Sequence, residues 1–109
     1  MGYNLPFFNL DKIREAALQQ RIRYRGGKHS NVQKTIANLG YTLEDVINCI
    51  ISLTPTDFSK TITEYQPYDD VYIKNVIREE QTDKIYMKLR LLEDGEIEIV
   101  EIGSFHPPR

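Results

Sequence analysis

The side chains best suited to chemistry in this sequence lie in its second half, in segments where polar and apolar residues alternate. They are Lys60, Tyr86, Lys88, Arg90 and His106. In the run KIYMKLRLL, single apolar residues separate Tyr86, Lys88 and Arg90. A β-strand turns alternate side chains to the same side, so we expect these three residues on one strand face.

Residues of these types can cleave RNA without a metal ion. The ribose 2′-hydroxyl attacks the neighbouring phosphate, which requires a base, an acid for the departing 5′-oxygen and positive charge near phosphorus. Histidine commonly transfers protons near neutral pH, so His106 can be acid or base. Lys60 and Arg90 can stabilise the charged phosphorus centre. Tyr86 can donate a hydrogen bond or stack on a base. Alternatively, this strand has a solvated polar face that binds nothing.

Other catalytic chemistries lack the residues they need. The chain has two histidines, His29 and His106, and one cysteine, Cys49, which are too few and too dispersed for a typical zinc site. No glycine-rich phosphate loop or nucleophile-elbow serine is present. We therefore predict that the protein uses no metal and no cofactor. A lone cysteine cannot form an internal disulfide, which favours a cytoplasmic location.

The basic residues are concentrated near the start of the chain. The first 36 residues contain seven basic and two acidic side chains, whereas the rest contain seven basic and fourteen acidic ones. In RIRYR, the arginines alternate with apolar residues as they would on a strand. Such a basic region can contact the phosphates of a nucleic acid, or can simply be solvated surface. The candidate RNA-binding residues are Arg23, Arg25, Lys88 and Arg90.

The length and periodicity of the chain predict a single domain over residues 1–109. With 40% hydrophobic residues it can form its own core. The sequence has no apolar run of about 18 residues that could span a membrane, and no signal peptide is recognisable at its start. We therefore expect no association with a membrane.

Helices are predicted in the first half and strands in the second. The expected helix N-caps are Asn9, Ser30 (with Gln33), Thr42 (with Asp45) and Thr54. A basic strand is expected over 21–25, and further strands over 59–65, 71–77, 84–92 and 96–104, with a hairpin turn at Asp94–Gly95. These elements predict a compact α+β fold: a mostly antiparallel, twisted sheet with about three helices packed on it.

Three segments together resemble a known protein family. They are GYTLEDVINCIISLTPTDFSKTITEY (40–65), YDDVY (68–72) and IYMKLRL (85–91). Their order and spacing are similar to those of the motility quorum-sensing regulator (MqsR) toxins. The resemblance implies a RelE-like fold and a ribosome-independent endoribonuclease that cuts single-stranded messenger RNA (mRNA) at GCU-like sites. It also implies a cognate antitoxin that binds and silences the toxin, which we expect to be monomeric when free.

The resemblance also implies roles for individual residues. The family's active-site lysine after D-F-x corresponds to Lys60, its strand tyrosine to Tyr86, and its terminal lysine after S-F to His106. A glutamine of the family is replaced here by Asp69, whose carboxylate would repel phosphate unless it acts as a base. Two alternatives remain open: a non-catalytic nucleic-acid-binding module that uses residues 12–36, and an antitoxin-like regulator that binds a partner protein.

Overall fold

A five-stranded sheet organises the protein in a computed structural model that describes residues 5–26 and 31–108. The strands are β1 (Ile22–Tyr24), β2 (Phe58–Ile62), β3 (Asp69–Arg78), β4 (Gln81–Asp94) and β5 (Ile97–His106). Their order across the sheet is β1-β5-β4-β3-β2. β1 runs parallel to β5, and the other neighbouring strands are antiparallel.

The described part of the chain also contains three α-helices and a 3₁₀ turn, most of them capped as the sequence predicts. The elements are α1 (Leu10–Leu18), α2 (Val32–Asn38), α3 (Leu43–Ile51) and the turn Pro55–Asp57. Asn9 caps α1 by accepting a hydrogen bond from the Lys12 N–H, and Thr42 forms a reciprocal capping box with Asp45 on α3. The predicted cap Ser30 lies outside the described residues. None of these helices is long and apolar enough to cross a membrane.

The helices pack against one face of the sheet and form the hydrophobic core with it. Ile85, Met87 and Leu89 of β4 are fully buried there, which confirms the predicted apolar strand face. Tyr72, Val100, Ile102 and Phe105 join them from neighbouring strands. The predicted α+β fold, with a mostly antiparallel sheet and three helices packed on it, is confirmed.

All five predicted strands are present, but their boundaries lie one to three residues from the predicted ones, and two of these differences affect the candidate site. The strand expected over 59–65 ends at Ile62, and an irregular loop then leads to β3. The last strand, expected to end at residue 104, continues to His106 because the long β4 provides a partner for it. It stops before Pro107, which has no N–H to donate.

Candidate active site

The face of the sheet opposite the helices, called the open face below, displays the alternate side chains of the strands. Strand register arranges these side chains in three neighbouring rows. The rows contain Ile73, Tyr86 and His106; then Lys60, Val71, Lys88 and Ser104; then Ile62, Asp69, Arg90, Glu101 and Arg23. Successive rows are about 6.6 Å apart along the strands, because a strand rises about 3.3 Å per residue. All the candidate residues except Arg25 therefore belong to these rows.

Two of the predicted catalytic residues, Tyr86 and His106, are stacked on each other. Their ring centroids are 5.2 Å apart and the rings are inclined by only 17°. His106 Nδ1 lies 2.6 Å from the carbonyl oxygen of Pro107. A carbonyl oxygen can only accept, so Nδ1 carries the proton in this bond. The neutral ring then has its lone pair on Nε2, which can accept a proton from a ligand.

The environment of Tyr86 favours the protonated hydroxyl. Burial raises the pKa of Tyr86, and the negative charge of Asp69 raises it further. The phenol therefore keeps its proton at neutral pH. It can donate a hydrogen bond or a proton on the open face, but it is poorly suited to act as a base.

Lys60, the third predicted catalytic residue, lies in the row next to Tyr86 and His106. It pairs with Val71 of β3, and Lys88 pairs with Val71 from the other side. Lys60 and Lys88 are therefore two strand spacings apart, about 10 Å between Cα atoms. Within the described part of the chain, neither lysine has an ion-pair partner. Val71 itself is fully buried, whereas Lys60 is exposed and Lys88 is half-buried.

The third row contains a buried carboxylate held by two arginines. Asp69 is fully buried and accepts hydrogen bonds from Arg25 (2.8 and 3.0 Å), Arg90 (2.9 and 3.1 Å) and the hydroxyl of Tyr65 (2.6 Å). Burial alone would raise the pKa of Asp69, but the hydrogen bonds from Arg25, Arg90 and Tyr65 outweigh it and hold the pKa well below its usual range. Asp69 is therefore an ionised and fully bonded group, which does not suit the role of a base.

Glu101 completes this group, which we call the arginine–carboxylate cluster (Arg25, Tyr65, Asp69, Arg90 and Glu101). Arg25 Nε lies 2.9 Å from Glu101, and Arg90 Nε lies 3.8 Å from it. Arg23 makes a looser contact of 3.7 Å with Glu101, and its side chain remains 66% exposed. Two of the predicted RNA-binding arginines thus bind carboxylates of the protein, whereas Arg23 is turned toward solvent.

A β-bulge at Gly103 affects both the arginine–carboxylate cluster and the Tyr86–His106 stack. Leu89 pairs with Ile102 but Lys88 pairs with Ser104, so Gly103 is an extra residue in β5. A Cβ atom on Gly103 would lie 2.3 Å from Nη1 of Arg25, so only glycine lets this guanidinium pass over the strand toward Asp69. The same extra residue shifts the register by one, which places His106 opposite Tyr86.

Sequence reasoning missed Tyr65, Glu101 and Gly103. Glu101 interrupts an apolar run, and Gly103 lies inside a strand, which is a known signal for a bulge or a close approach. These signals show that the positions are unusual. They do not identify Arg25 as the residue that both of them serve, because Arg25 is distant in sequence.

The fold and the site define a small α+β protein whose open sheet face carries a tyrosine–histidine stack beside two lysines that have no ion-pair partner in the described part of the chain. The model of a family described as "Motility quorum-sensing regulator, toxin of MqsA" matches residues 5–106 of this chain. The chain therefore belongs to this toxin family, and the membership implies an antitoxin partner. A search of curated proteins gives no match.

Proposed function

We propose that this toxin is an endoribonuclease that cleaves single-stranded mRNA, without a metal ion or the ribosome, at short GCU-like sequences. The observation that carries the proposal is the Tyr86–His106 stack beside two lysines that have no ion-pair partner in the described chain. Its substrate implies that the toxin acts in the cytoplasm. The open face of one chain carries all the proposed groups, so the free toxin needs no second copy and is monomeric.

The reaction is an attack of the ribose on its own phosphate. The neutral Nε2 atom of His106 takes the proton of the 2′-hydroxyl as the O2′–P bond forms and the P–O5′ bond breaks. Tyr86 gives its proton to the departing 5′-oxygen and regains one from solvent. Lys60 and Lys88 stabilise the negative charge that develops on the phosphate oxygens. The products are a 2′,3′-cyclic phosphate and a 5′-hydroxyl.

The arginine–carboxylate cluster supports this arrangement from the neighbouring row. Asp69 and Glu101 neutralise Arg25 and Arg90, so these arginines add little positive charge of their own to the proposed phosphate position. Lys60 and Lys88 are then the cations available beside the Tyr86–His106 stack. Arg23, at the exposed end of the same row, contributes a further contact to the RNA backbone.

The test is the end chemistry of a synthetic RNA incubated with the purified protein in EDTA. We expect 2′,3′-cyclic phosphate ends, and no cleavage of a DNA strand of the same sequence, which lacks the attacking hydroxyl. Lys60→Ala should lower the cleavage rate by about 10²–10³, as the loss of one transition-state donor does elsewhere. Its unfolding curve should not change, because Lys60 is exposed.

Lys34→Ala is the matched control, since Lys34 is an exposed lysine on helix α2. We expect it to cut RNA at the normal rate. A strict requirement for Mg²⁺, or full activity in a folded Lys60→Ala protein, would contradict the proposed mechanism. Binding of RNA without any cleavage would favour the non-catalytic nucleic-acid-binding module instead.

A further inference from the structure

Tyr65 is an exposed aromatic residue whose ring is nevertheless held in place. It lies in the loop between β2 and β3, and 41% of its surface is accessible to solvent. Its hydroxyl donates a 2.6 Å hydrogen bond to the buried carboxylate of Asp69. The guanidinium carbon of Arg90 lies 6.0 Å from the ring centroid. The backbone thus holds one end of the ring and the hydroxyl bond holds the other, while the guanidinium of Arg90 lies over the ring.

The hydrogen bond that holds Tyr65 persists at neutral pH. Burial and the hydrogen bond to Asp69 raise the pKa of Tyr65 to about 12, so the hydroxyl keeps the proton that it donates. Asp69 is itself fixed by two arginines, so the anchor does not move freely. A ligand that stacks on Tyr65 therefore meets a ring whose rotamers are already restricted, which reduces the entropy lost on binding.

The neighbouring aromatic residue of the same loop is placed differently. Tyr68 packs edge-on against Phe7, with ring centroids 5.0 Å apart, and is only partly exposed. Among the described residues no aromatic ring packs on Tyr65 in this way, and the guanidinium of Arg90 lies over its ring. The ring of Tyr65 is thus accessible to a ligand, whereas the ring of Tyr68 packs against another part of the protein.

Tyr65 lies close to the two lysines of the proposed cleavage site. Its anchor Asp69 lies two residues before Val71 on the same face of β3, about 6.6 Å away. Val71 is the residue flanked by Lys60 and Lys88. A nucleotide whose phosphate contacts these lysines can therefore bring its own base, or the adjacent one, to Tyr65.

We propose that Tyr65 is a stacking platform for a nucleobase of single-stranded RNA bound on the open face. The inference rests on the proposed ribonuclease function and adds a binding residue to it. Every nucleobase has a π-face, and aromatic side chains commonly bind unpaired bases by stacking. The guanidinium of Arg90 lies near the ring and strengthens such a site through its charge.

The absence of tryptophan from the sequence allows a direct test. Tyr65→Trp creates a single fluorescent reporter whose indole N–H can still donate to Asp69. We would titrate it with a 2′-O-methyl RNA strand, which cannot be cleaved, and follow binding independently by fluorescence polarisation of a label on that strand. Stacking predicts saturable quenching of the tryptophan that follows the polarisation curve. An abasic strand with the same number of phosphates should leave the tryptophan signal unchanged.

Tyr68→Trp provides the matched control, because its ring lies in the same loop but packs against Phe7. We expect little quenching there at saturating RNA. Absence of quenching in Tyr65→Trp while polarisation shows full binding would overturn the stacking proposal. It would leave the proposed ribonuclease function intact, since cleavage is measured separately on the unmodified protein.

A second pair of variants separates stacking from the anchor and does not depend on the tryptophan variants. Tyr65→Phe keeps the ring but loses the bond to Asp69, whereas Tyr65→Ala loses both. Stacking predicts an affinity about 5- to 150-fold weaker for Tyr65→Ala, the range expected for one stacked base. Tyr65→Phe should lose much less, because it removes only the restriction that the hydroxyl bond places on the ring. Equal losses in the two variants would show that Tyr65 acts only through Asp69 and would overturn the proposal.

Discussion

Two neighbouring regions of the open face both carry basic side chains, but only in one of them are these side chains bound to carboxylates of the protein. In the row of Lys60 and Lys88, and in the adjacent stack of Tyr86 and His106, no carboxylate faces the cations within the described chain. One row further along the strands, Arg25 and Arg90 are bonded to Asp69 and Glu101. The two regions differ in what lies opposite each cation in the strand register.

The difference shows that the number of basic residues in a segment does not tell how many can bind a ligand. Arginine can form two parallel bonds to a carboxylate, and Arg25 and Arg90 both do so with Asp69. The lysines keep a mobile charge at the surface. We infer that the arginine–carboxylate cluster holds the shape of the face, whereas the lysine region is where a substrate phosphate binds.

The largest effect is expected at His106, which lies in the region of the two lysines and not in the arginine–carboxylate cluster. His106→Ala removes the proposed base and should lower the rate of RNA cleavage by about 10²–10⁴, the usual contribution of proton transfer. His106→Lys places an ammonium group there, which at neutral pH has no lone pair to accept a proton. Its activity should stay low at neutral pH and rise toward a typical lysine pKa of about 10.4. Initial rates measured across a pH series test both variants.

Tyr86→Phe is the appropriate companion because it keeps the ring that stacks on His106 and removes only the hydroxyl. We expect it to lose activity without a change in its unfolding curve. Full activity of His106→Lys at neutral pH would mean that position 106 supplies positive charge and not a base. Normal activity of His106→Ala would make this region a solvated face, and the contrast with the cluster would lose its functional meaning.

The second effect concerns the stability of the cluster. Asp69→Asn keeps the shape of the side chain but removes the charge that Arg25 and Arg90 share. Removing one partner of a buried ion pair typically costs about 3–5 kcal/mol. Glu101 still contacts both arginines in this variant, so we expect a loss toward the lower end of that range. Urea unfolding measures the loss. Glu80→Gln, at an exposed carboxylate in the β3–β4 turn, should change stability by less than about 0.5 kcal/mol.

The same carboxylate makes stability depend on pH with a definite sign. Since the folded protein holds the pKa of Asp69 below its usual value, the unfolded chain binds the proton more readily. The stabilisation is therefore complete above the ordinary aspartate pKa of about 3.9 and is lost as pH falls below it. The unmodified protein and Asp69→Asn should differ by a constant amount between neutral pH and about pH 5, and converge in stronger acid. A constant difference throughout would show that the charge of Asp69 is not the cause.

How much the sequence could predict depends on whether a feature is local or set by register. Helix caps at Asn9 and Thr42 and the apolar face of β4 follow from short patterns, and the structure confirms them. The place of His106 depends on an extra residue far along a hairpin. Counted from the turn after Asp94, an unbroken ladder would pair Tyr86 with Phe105 and turn His106 toward the core. The bulge at Gly103 reverses this.

A smaller effect is expected at Gly103, where the two regions meet. In Gly103→Ala the new methyl group collides with the guanidinium of Arg25, which lies at the end of a flexible side chain and can move away. Arg25 then loses its bonds to Asp69, and a hydrogen bond to a charged group is worth about 1.5–3 kcal/mol. Urea unfolding measures this loss. Gly26→Ala is the control, because a Cβ there meets no atom within 4 Å. Unchanged stability in Gly103→Ala would show that the Arg25–Asp69 bond contributes little.

The smallest effect is expected at Arg23, the predicted RNA-binding arginine that the cluster holds least. Its 3.7 Å contact with Glu101 is too exposed to contribute more than about 1 kcal/mol, so Arg23→Gln should leave the unfolding curve nearly unchanged. If Arg23 contacts one RNA phosphate, the log–log dependence of affinity on salt should become shallower by about 0.7. Lys12→Gln is a close control, because Lys12 is similarly exposed at 59% and also has a 3.7 Å contact, but lies on helix α1. Equal salt slopes for the two variants would place Arg23 outside the RNA path and confine the phosphate contacts of the open face to its lysines.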